Sequence, residues 1–154
     1  LKKAKENECI TVLNPAPARN IKKEDFNLLD FFTPNETEAE FYLNKKIKSE
    51  KDIKDAANEF LKKGVKNIII TLGEKGVYFA NKNEEYFIDA LKLKDEVVDT
   101  TGAGDAFNGA FVVALANELK YKKALQFANK VAGISTTRLG AASSMPNLKE
   151  VEDY

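Results

Sequence analysis

The stretch Asn67-Ile68-Ile69-Ile70-Thr71-Leu72 restricts the fold of this chain more than any other. Successive side chains of a strand point to opposite faces, so an apolar run without polar alternation needs cover on both sides of its sheet. Parallel sheets with helical crossovers provide that cover. The preceding residues supply such a helix. From Ser49, Ile53, Ala56, Ala57, Phe60 and Leu61 follow the rhythm of one helix face, and Gly64 provides the stop. Upstream, Cys9-Ile10-Thr11-Val12-Leu13 reads as a buried strand ended by Asn14-Pro15-Ala16-Pro17, where the prolines forbid helix and ladder alike. A shorter apolar piece, Leu28–Phe32, runs into Thr33-Pro34-Asn35-Glu36; Pro34 is expected at the start of the next helix, capped by Thr33.

Downstream, Gly73 and Gly76 bracket a turn into Val77-Tyr78-Phe79-Ala80, and Tyr86-Phe87-Ile88 and Glu96-Val97-Val98 suggest further short strands of an antiparallel excursion. Phe107, Ala110, Phe111, Ala114 and Leu115 mark one helix face, and Ala124, Ala128, Val131, Ala132 and Ser135 mark another, so two helices are expected to close the chain. This alternation predicts an α/β fold with a mainly parallel sheet, whose ligands bind beyond the carboxyl ends of the strands. A length of 154 residues, without repeats, low-complexity tracts or a linker, predicts one domain.

Composition removes several function classes. Lys and Arg total 24 and Asp and Glu total 24, so no net field draws the chain to nucleic acid or anionic lipid, and a small-molecule ligand is expected. No apolar run reaches membrane-span length, and no secretion signal follows Leu1. With no histidine there is no imidazole base or ligand and no Ser-His-Asp triad, which leaves acid–base work to carboxylates. The single cysteine, Cys9, reads as a small apolar residue beside a strand and fits a reducing, cytoplasmic setting. The chain opens on Leu1 and its one methionine is Met145, which predicts a piece of a longer enzyme.

Chemistry concentrates in Asp99-Thr100-Thr101-Gly102-Ala103-Gly104-Asp105. This segment joins a strand to a helix, so backbone N–H groups from Gly102 to Asp105 point beyond the helix start, a geometry that binds anions. The glycines allow close approach, and the helix dipole favours negative charge there. A dinucleotide fingerprint would need a third glycine where Phe107 stands, and a Walker A loop needs Gly-Lys-Ser/Thr, which is absent. A carboxylate at the mouth of the turn could take the proton of a hydroxyl attacking a γ-phosphate, the role expected of Asp105. An isolated Gly-x-Gly-Asp is more simply a tight turn with an N-terminal helix carboxylate. The preceding Asp99-Thr100-Thr101 and the other motifs decide for the phosphate site.

Those motifs are Asn14-Pro15-Ala16-Pro17-Ala18-Arg19, Thr33-Pro34-Asn35-Glu36-Thr37-Glu38-Ala39-Glu40, Thr71-Leu72-Gly73-Glu74-Lys75-Gly76-Val77, Asp99–Ala110, and Thr137-Arg138-Leu139-Gly140-Ala141 with Ser144. In this order they resemble the ribokinase (PfkB) carbohydrate kinase family over nearly the whole chain. The resemblance implies a Rossmann-like three-layer α/β sandwich, incomplete at its N-terminus, of which residues 1–154 are the C-terminal nucleotide-binding and catalytic part. It implies Asp105 as catalytic base and Gly102, Ala103 and Gly104 as the anion hole. Asn35 and Glu38 match the family's Asn-x-x-Glu motif, which implies a nucleotide contact at Asn35 and a place for Glu38 in the Mg²⁺ environment; helix capping by the same residues is the plainer alternative. Thr71, Gly73, Gly76, Gly104 and Asn129 match nucleotide-binding positions, and Asp99, Thr101, Ser135, Arg138, Gly140 and Ser144 match a monovalent cation site for K⁺.

The family's Gly-Gly-Asn sugar-binding region and β-strand lid have no counterpart among these residues. The implied activity is phosphorylation of D-ribose to ribose 5-phosphate with ATP and Mg²⁺ by the intact protein, a homodimer in several relatives of this type. A kinase of another sugar or a nucleoside, or a nucleotide-binding fragment inactive by itself, remain alternatives.

Overall fold

The computed structural model describes residues 1–154. In chain order its helices and strands are α1 (Lys2–Glu6), β1 (Val12–Leu13), β2 (Phe31–Phe32), α2 (Glu36–Leu43), α3 (Glu50–Lys62), β3 (Asn67–Thr71), β4 (Val77–Asn81), β5 (Glu85–Ile88), α4 (Ala103–Ala116), α5 (Tyr121–Ser135) and α6 (Leu148–Asp153). They fall into two compact units, Leu1–Gly73 with Val77–Phe87, and Glu74–Gly76 with Ile88–Tyr154.

The first unit is built on a sheet in the order β1-β2-β3-β4-β5. β1, β2 and β3 run parallel, and β4 returns antiparallel to β3 with Ile69 opposite Phe79. The isoleucine run behaves as its composition demands. Ile68 and Ile70 enter a core with Phe32, Ala57, Phe60 and Tyr78, while Ile69, on the opposite face, is equally inaccessible. α3 begins at Ser49, whose hydroxyl accepts from the Asp52 amide while the Asp52 carboxylate accepts from the Ser49 amide; such a reciprocal cap satisfies two amides that a helix start otherwise leaves unpaired. Its buried stripe is Ile53, Ala56, Ala57 and Phe60. In the second unit α4 and α5 pack together, burying Phe107, Ala110, Phe111 and Ala114 from one and Leu125, Ala128, Val131 and Ile134 from the other.

Several expectations are corrected. Thr33 does not cap α2: it is buried, and its hydroxyl donates to the Leu13 carbonyl, so the cap falls to Asn35 beyond Pro34. The Cys9–Leu13 strand shortens to Val12–Leu13, because the Thr11 amide donates to the Asp30 carboxylate instead of the ladder and Ile10 is exposed. Cys9 itself is exposed. Glu96-Val97-Val98 forms no strand; both valines are exposed, and the amides of Val98 and Asp99 donate to the Thr136 carbonyl at 2.8 and 3.1 Å. The β-branched pair has no neighbouring strand to pair with. A further short helix, α6, follows the two expected at the end of the chain.

Asp30 ties the start of the chain to the sheet. Its carboxylate meets the Lys5 and Lys66 ammonium groups and the amide and hydroxyl of Thr11. Burial, the largest single influence, pushes its acidity toward the neutral form, but the lysines and Thr11 together overcome it and hold the carboxyl well below the ordinary value of 3.8. A depressed carboxylate contributes stability that is fully present above its unfolded-state pKa and is lost as pH falls through the folded one. Asp30→Asn is therefore expected to cost about 1.5–3 kcal/mol at pH 7, the range for hydrogen bonds to a charged group. Urea unfolding at a series of pH values checks this: the gap between the two proteins narrows as pH drops below 3.8. A gap independent of pH would exclude the charge as its source.

Candidate functional site

The turn before α4, which follows an irregular segment and not the expected strand, is shaped by Gly102. This residue caps α4 with φ of 78°, a left-handed conformation that side chains disfavour. A Cβ on it would also stand 3.1 Å from the Ala141 Cβ and 3.5 Å from the Met145 Cε. The conformation favours glycine there, and a side chain would press on Ala141. A Cβ on Gly104, in contrast, would meet nothing within 4 Å, so this face of the turn is open.

The first amides of a helix have no intrahelical acceptor. Here the Ala103 amide turns back to the Thr100 carbonyl at 3.2 Å, and the Ala106 amide reaches the Gly102 carbonyl at 2.9 Å. The amides of Gly104 and Asp105 have no protein acceptor. These two donors, with the positive end of the helix dipole, form a place for an anion. The exposed carboxylate of Asp105 stands in the same first turn. The donor set expected to run from Gly102 to Asp105 is thus narrower, since Ala103 is engaged. One turn on, Asn108 donates through Nδ2 to the Gly104 carbonyl at 2.8 Å.

Asp99 links this turn to a second loop. One carboxylate oxygen accepts from the Thr101 amide and the other from the Gly140 amide, each at 2.9 Å. Thr101, through its hydroxyl and amide, and then Gly140 hold the Asp99 carboxyl below the usual range. The structure thereby brings together Asp99, Thr101 and Gly140. Ser135 and Ser144 are buried, and their hydroxyls donate to the Ala132 and Ala141 carbonyls. The Arg138 guanidinium reaches Glu150 at 2.6 Å.

Asn35, Glu38, Thr71 and Gly73 belong to the first unit. Asn35 and Glu38 form a reciprocal cap, the Asn35 Oδ1 accepting from the Glu38 amide and the Glu38 Oε2 accepting from the Asn35 amide, each at 2.8 Å. Asn35 also forms a parallel bridge with Thr71 at the carboxyl end of β3. Gly73 adopts φ of 58° with open space around it. In the second unit, Gly76 is required sterically: a Cβ there would lie 2.0 Å from the Ile88 carbonyl oxygen. Asn129 donates to the Asp89 carbonyl at 2.7 Å, which holds the chain after β5 against α5.

A cleft of about 620 Å³ is lined by residues that include Lys94, Arg138, Glu150 and Tyr154. None of the Gly-Ala-Gly-Asp turn lines it, so this cleft is not the anion site. Sequence reasoning missed Glu150 and Asn147, which cap α6 as Asn35 and Glu38 cap α2. Their signal was available, since Asn147-Leu148-Lys149-Glu150 repeats the Asn-x-x-Glu spacing.

Comparison with known proteins shows the family and the fold. A model described as pfkB family carbohydrate kinase matches residues 1–148. A ribokinase of Staphylococcus aureus is 44% identical over 149 residues, covering 96% of this chain and 48% of that protein. Among solved structures, the ribokinase of Thermotoga maritima superposes with a TM-score of 0.88 at 44% identity, covering 99% of this chain and 51% of that one. The Arabidopsis thaliana ribokinase complexed with ribose and ATP gives 0.93 at 30% identity, covering 99% and 49%. The chain therefore spans about half the length of the relatives it matches.

Proposed function

The chain belongs to the pfkB family of carbohydrate kinases, and from that premise we propose that the protein containing it transfers the γ-phosphoryl group of ATP to D-ribose, giving ribose 5-phosphate. Residues 1–154 are its C-terminal nucleotide-binding and catalytic part. The observation that carries this reading is the first turn of α4, where two unpaired amides and the Asp105 carboxylate share one helix start. The similarity to an ATP- and ribose-bound ribokinase supports the choice of substrates.

In this reading the Asp105 carboxylate accepts the proton of the attacking sugar hydroxyl. The hydroxyl oxygen bonds to the γ-phosphorus, the bond from that phosphorus to the bridging oxygen breaks, and ADP leaves with the bond's electrons. The amides of Gly104 and Asp105 face the charge that gathers on the transferring group. Gly102 fixes the turn, and Ala103 completes the proposed anion hole between the two glycines. Asn35, Thr71, Gly73, Gly76 and Asn129 contact the nucleotide.

Glu38 suits a hydrated Mg²⁺, because the cap engages only one of its carboxylate oxygens and Mg²⁺ held beside phosphates keeps several waters. Mg²⁺ would supply charge neutralisation of the phosphates. The Asp99 carboxylate with backbone oxygens of Thr101, Ser135, Arg138, Gly140 and Ser144 is an oxygen donor set suited to K⁺, and Asp99 already orders the two loops that carry it. A cytoplasmic setting suits the single thiol and the dependence on ATP.

The test is ATP turnover by the full-length protein over a panel of pentoses, hexoses and nucleosides. Highest kcat/KM is expected for ribose, and preference for a hexose or nucleoside would replace the acceptor assignment within the same chemistry. ADP binding without turnover of any acceptor would favour the second reading, a nucleotide-binding module.

A further inference from the structure

The segment between Arg138 and Asn147 forms an arch over the turn that precedes α4. Its crown touches that turn twice, through the Gly140 amide on Asp99 and through the close approach of Ala141 and Met145 to Gly102. Internal bonds stiffen it: Ser143 donates to the Leu139 carbonyl at 3.2 Å and the buried Ser144 to the Ala141 carbonyl at 2.7 Å. Both feet of the arch end on one carboxylate. Glu150 accepts the Arg138 guanidinium on Oε1 at 2.6 Å and the Asn147 amide on Oε2 at 2.8 Å.

We propose that Glu150 is a positioning residue for phosphoryl transfer, fixing both feet of the 138–147 arch so that its crown holds the Asp99–Gly102 turn and thereby aims the Gly104 and Asp105 amides. This rests on the reading of that turn as the phosphoryl site. Glu150 touches neither nucleotide nor sugar in this account. Its neighbour Lys149 has no such bonds, and α6 is otherwise held by the buried Val151 and, at its far end, by Lys94, which meets the Asp153 carbonyl and the Tyr154 ring. Hydrogen bonds with a charged partner are the stronger kind, and a carboxylate offers a separate oxygen to each of Arg138 and Asn147.

The experiment compares the full-length wild type with Glu150→Ala and Glu150→Gln. Amide exchange at Thr101 and Gly140 is followed by mass spectrometry or NMR, and kcat and the KM for ATP are measured per ADP-binding site, so that unfolded protein does not count. In Glu150→Ala, exchange at both amides is expected to accelerate and kcat to fall about tenfold, the lower end of what loss of a ligand-orienting partner costs. The KM for ATP stays within about threefold, since misplacement of the reacting groups acts on the rate of the chemical step. Glu150→Gln, which keeps one acceptor oxygen, recovers part of the loss. Unchanged exchange, or faster exchange with kcat per site within twofold of wild type, overturns the proposal. A wild-type protein that transfers no phosphate overturns the kinase reading instead, and accelerated exchange in Glu150→Ala then still supports the hold of Glu150 on the turn.

Discussion

Asp105→Asn in the full-length protein is expected to lower kcat by about 10²–10⁴-fold, the usual contribution of a positioned general base, while ADP affinity is expected to change little. The substitution is nearly isosteric and removes only the capacity to take a proton. The Asp105 amide remains, as does the Gly104 amide beside it, so the anion-binding part of the turn survives. Folding survives too: losing a negative charge in the first turn of α4 costs about 0.3–1 kcal/mol. The measurements are coupled ADP release at saturating ribose and calorimetric titration with ADP. A variant within tenfold of wild-type kcat would remove Asp105 from the role of base and leave the turn as a phosphate cradle alone.

Phe60→Ala is expected to have the largest effect on stability. Phe60 is fully buried on α3, with ring centroids 5.1 Å from Phe32, 6.3 Å from Phe26 and 6.5 Å from Tyr42. Truncation removes an aromatic side chain from the centre of this cluster, and the rings around it are held by β2, α2 and the turn at Lys23–Leu28. They cannot close over the gap without shifting those elements. The expected loss is about 3–5 kcal/mol, a large part of the roughly 5–15 kcal/mol that holds a typical domain folded. Phe41→Ala provides the comparison. Phe41 is 52% exposed, so its truncation should stay within about 0.5 kcal/mol, although its ring meets Tyr42 edge-on. Chemical denaturation of both variants decides the matter, and a Phe60 variant no weaker than the Phe41 variant would contradict the packing described.

What the sequence displayed and what it hid have different physical origins. The isoleucine run, the α3 stripe and the glycine turn were legible because one local rule governs each of them. Continuous apolarity demands two-sided cover, helical spacing demands one apolar face, and Gly102 occupies a conformation other residues avoid. The family match over residues 1–148 and the superposition on ribokinase structures agree with the α/β reading. The errors arose where a distant partner outranked a local rule. Thr33 has a good capping side chain, yet its burial next to β1 turns the hydroxyl toward Leu13. Val97 and Val98 have strand-forming side chains, but the carbonyl that receives the local amides belongs to Thr136 at the end of α5. Glu150 escaped notice for the same reason. Its Asn-x-x-Glu spacing shows a cap, but nothing local shows that its second oxygen meets Arg138.

The openness of the α4 start bears on how the proposed phosphoryl transfer to a sugar would exclude water. Within residues 1–154, Gly104 and Asp105 are both exposed. A base that water can reach can deprotonate water as well as a sugar, and phosphoryl transfer to water is ATP hydrolysis without product gain. Suppressing that leak is therefore a task for groups outside the Gly-Ala-Gly-Asp turn. The ratio of sugar phosphorylation to ATP hydrolysis measures how well those groups exclude water, independently of how well Asp105 performs its chemistry.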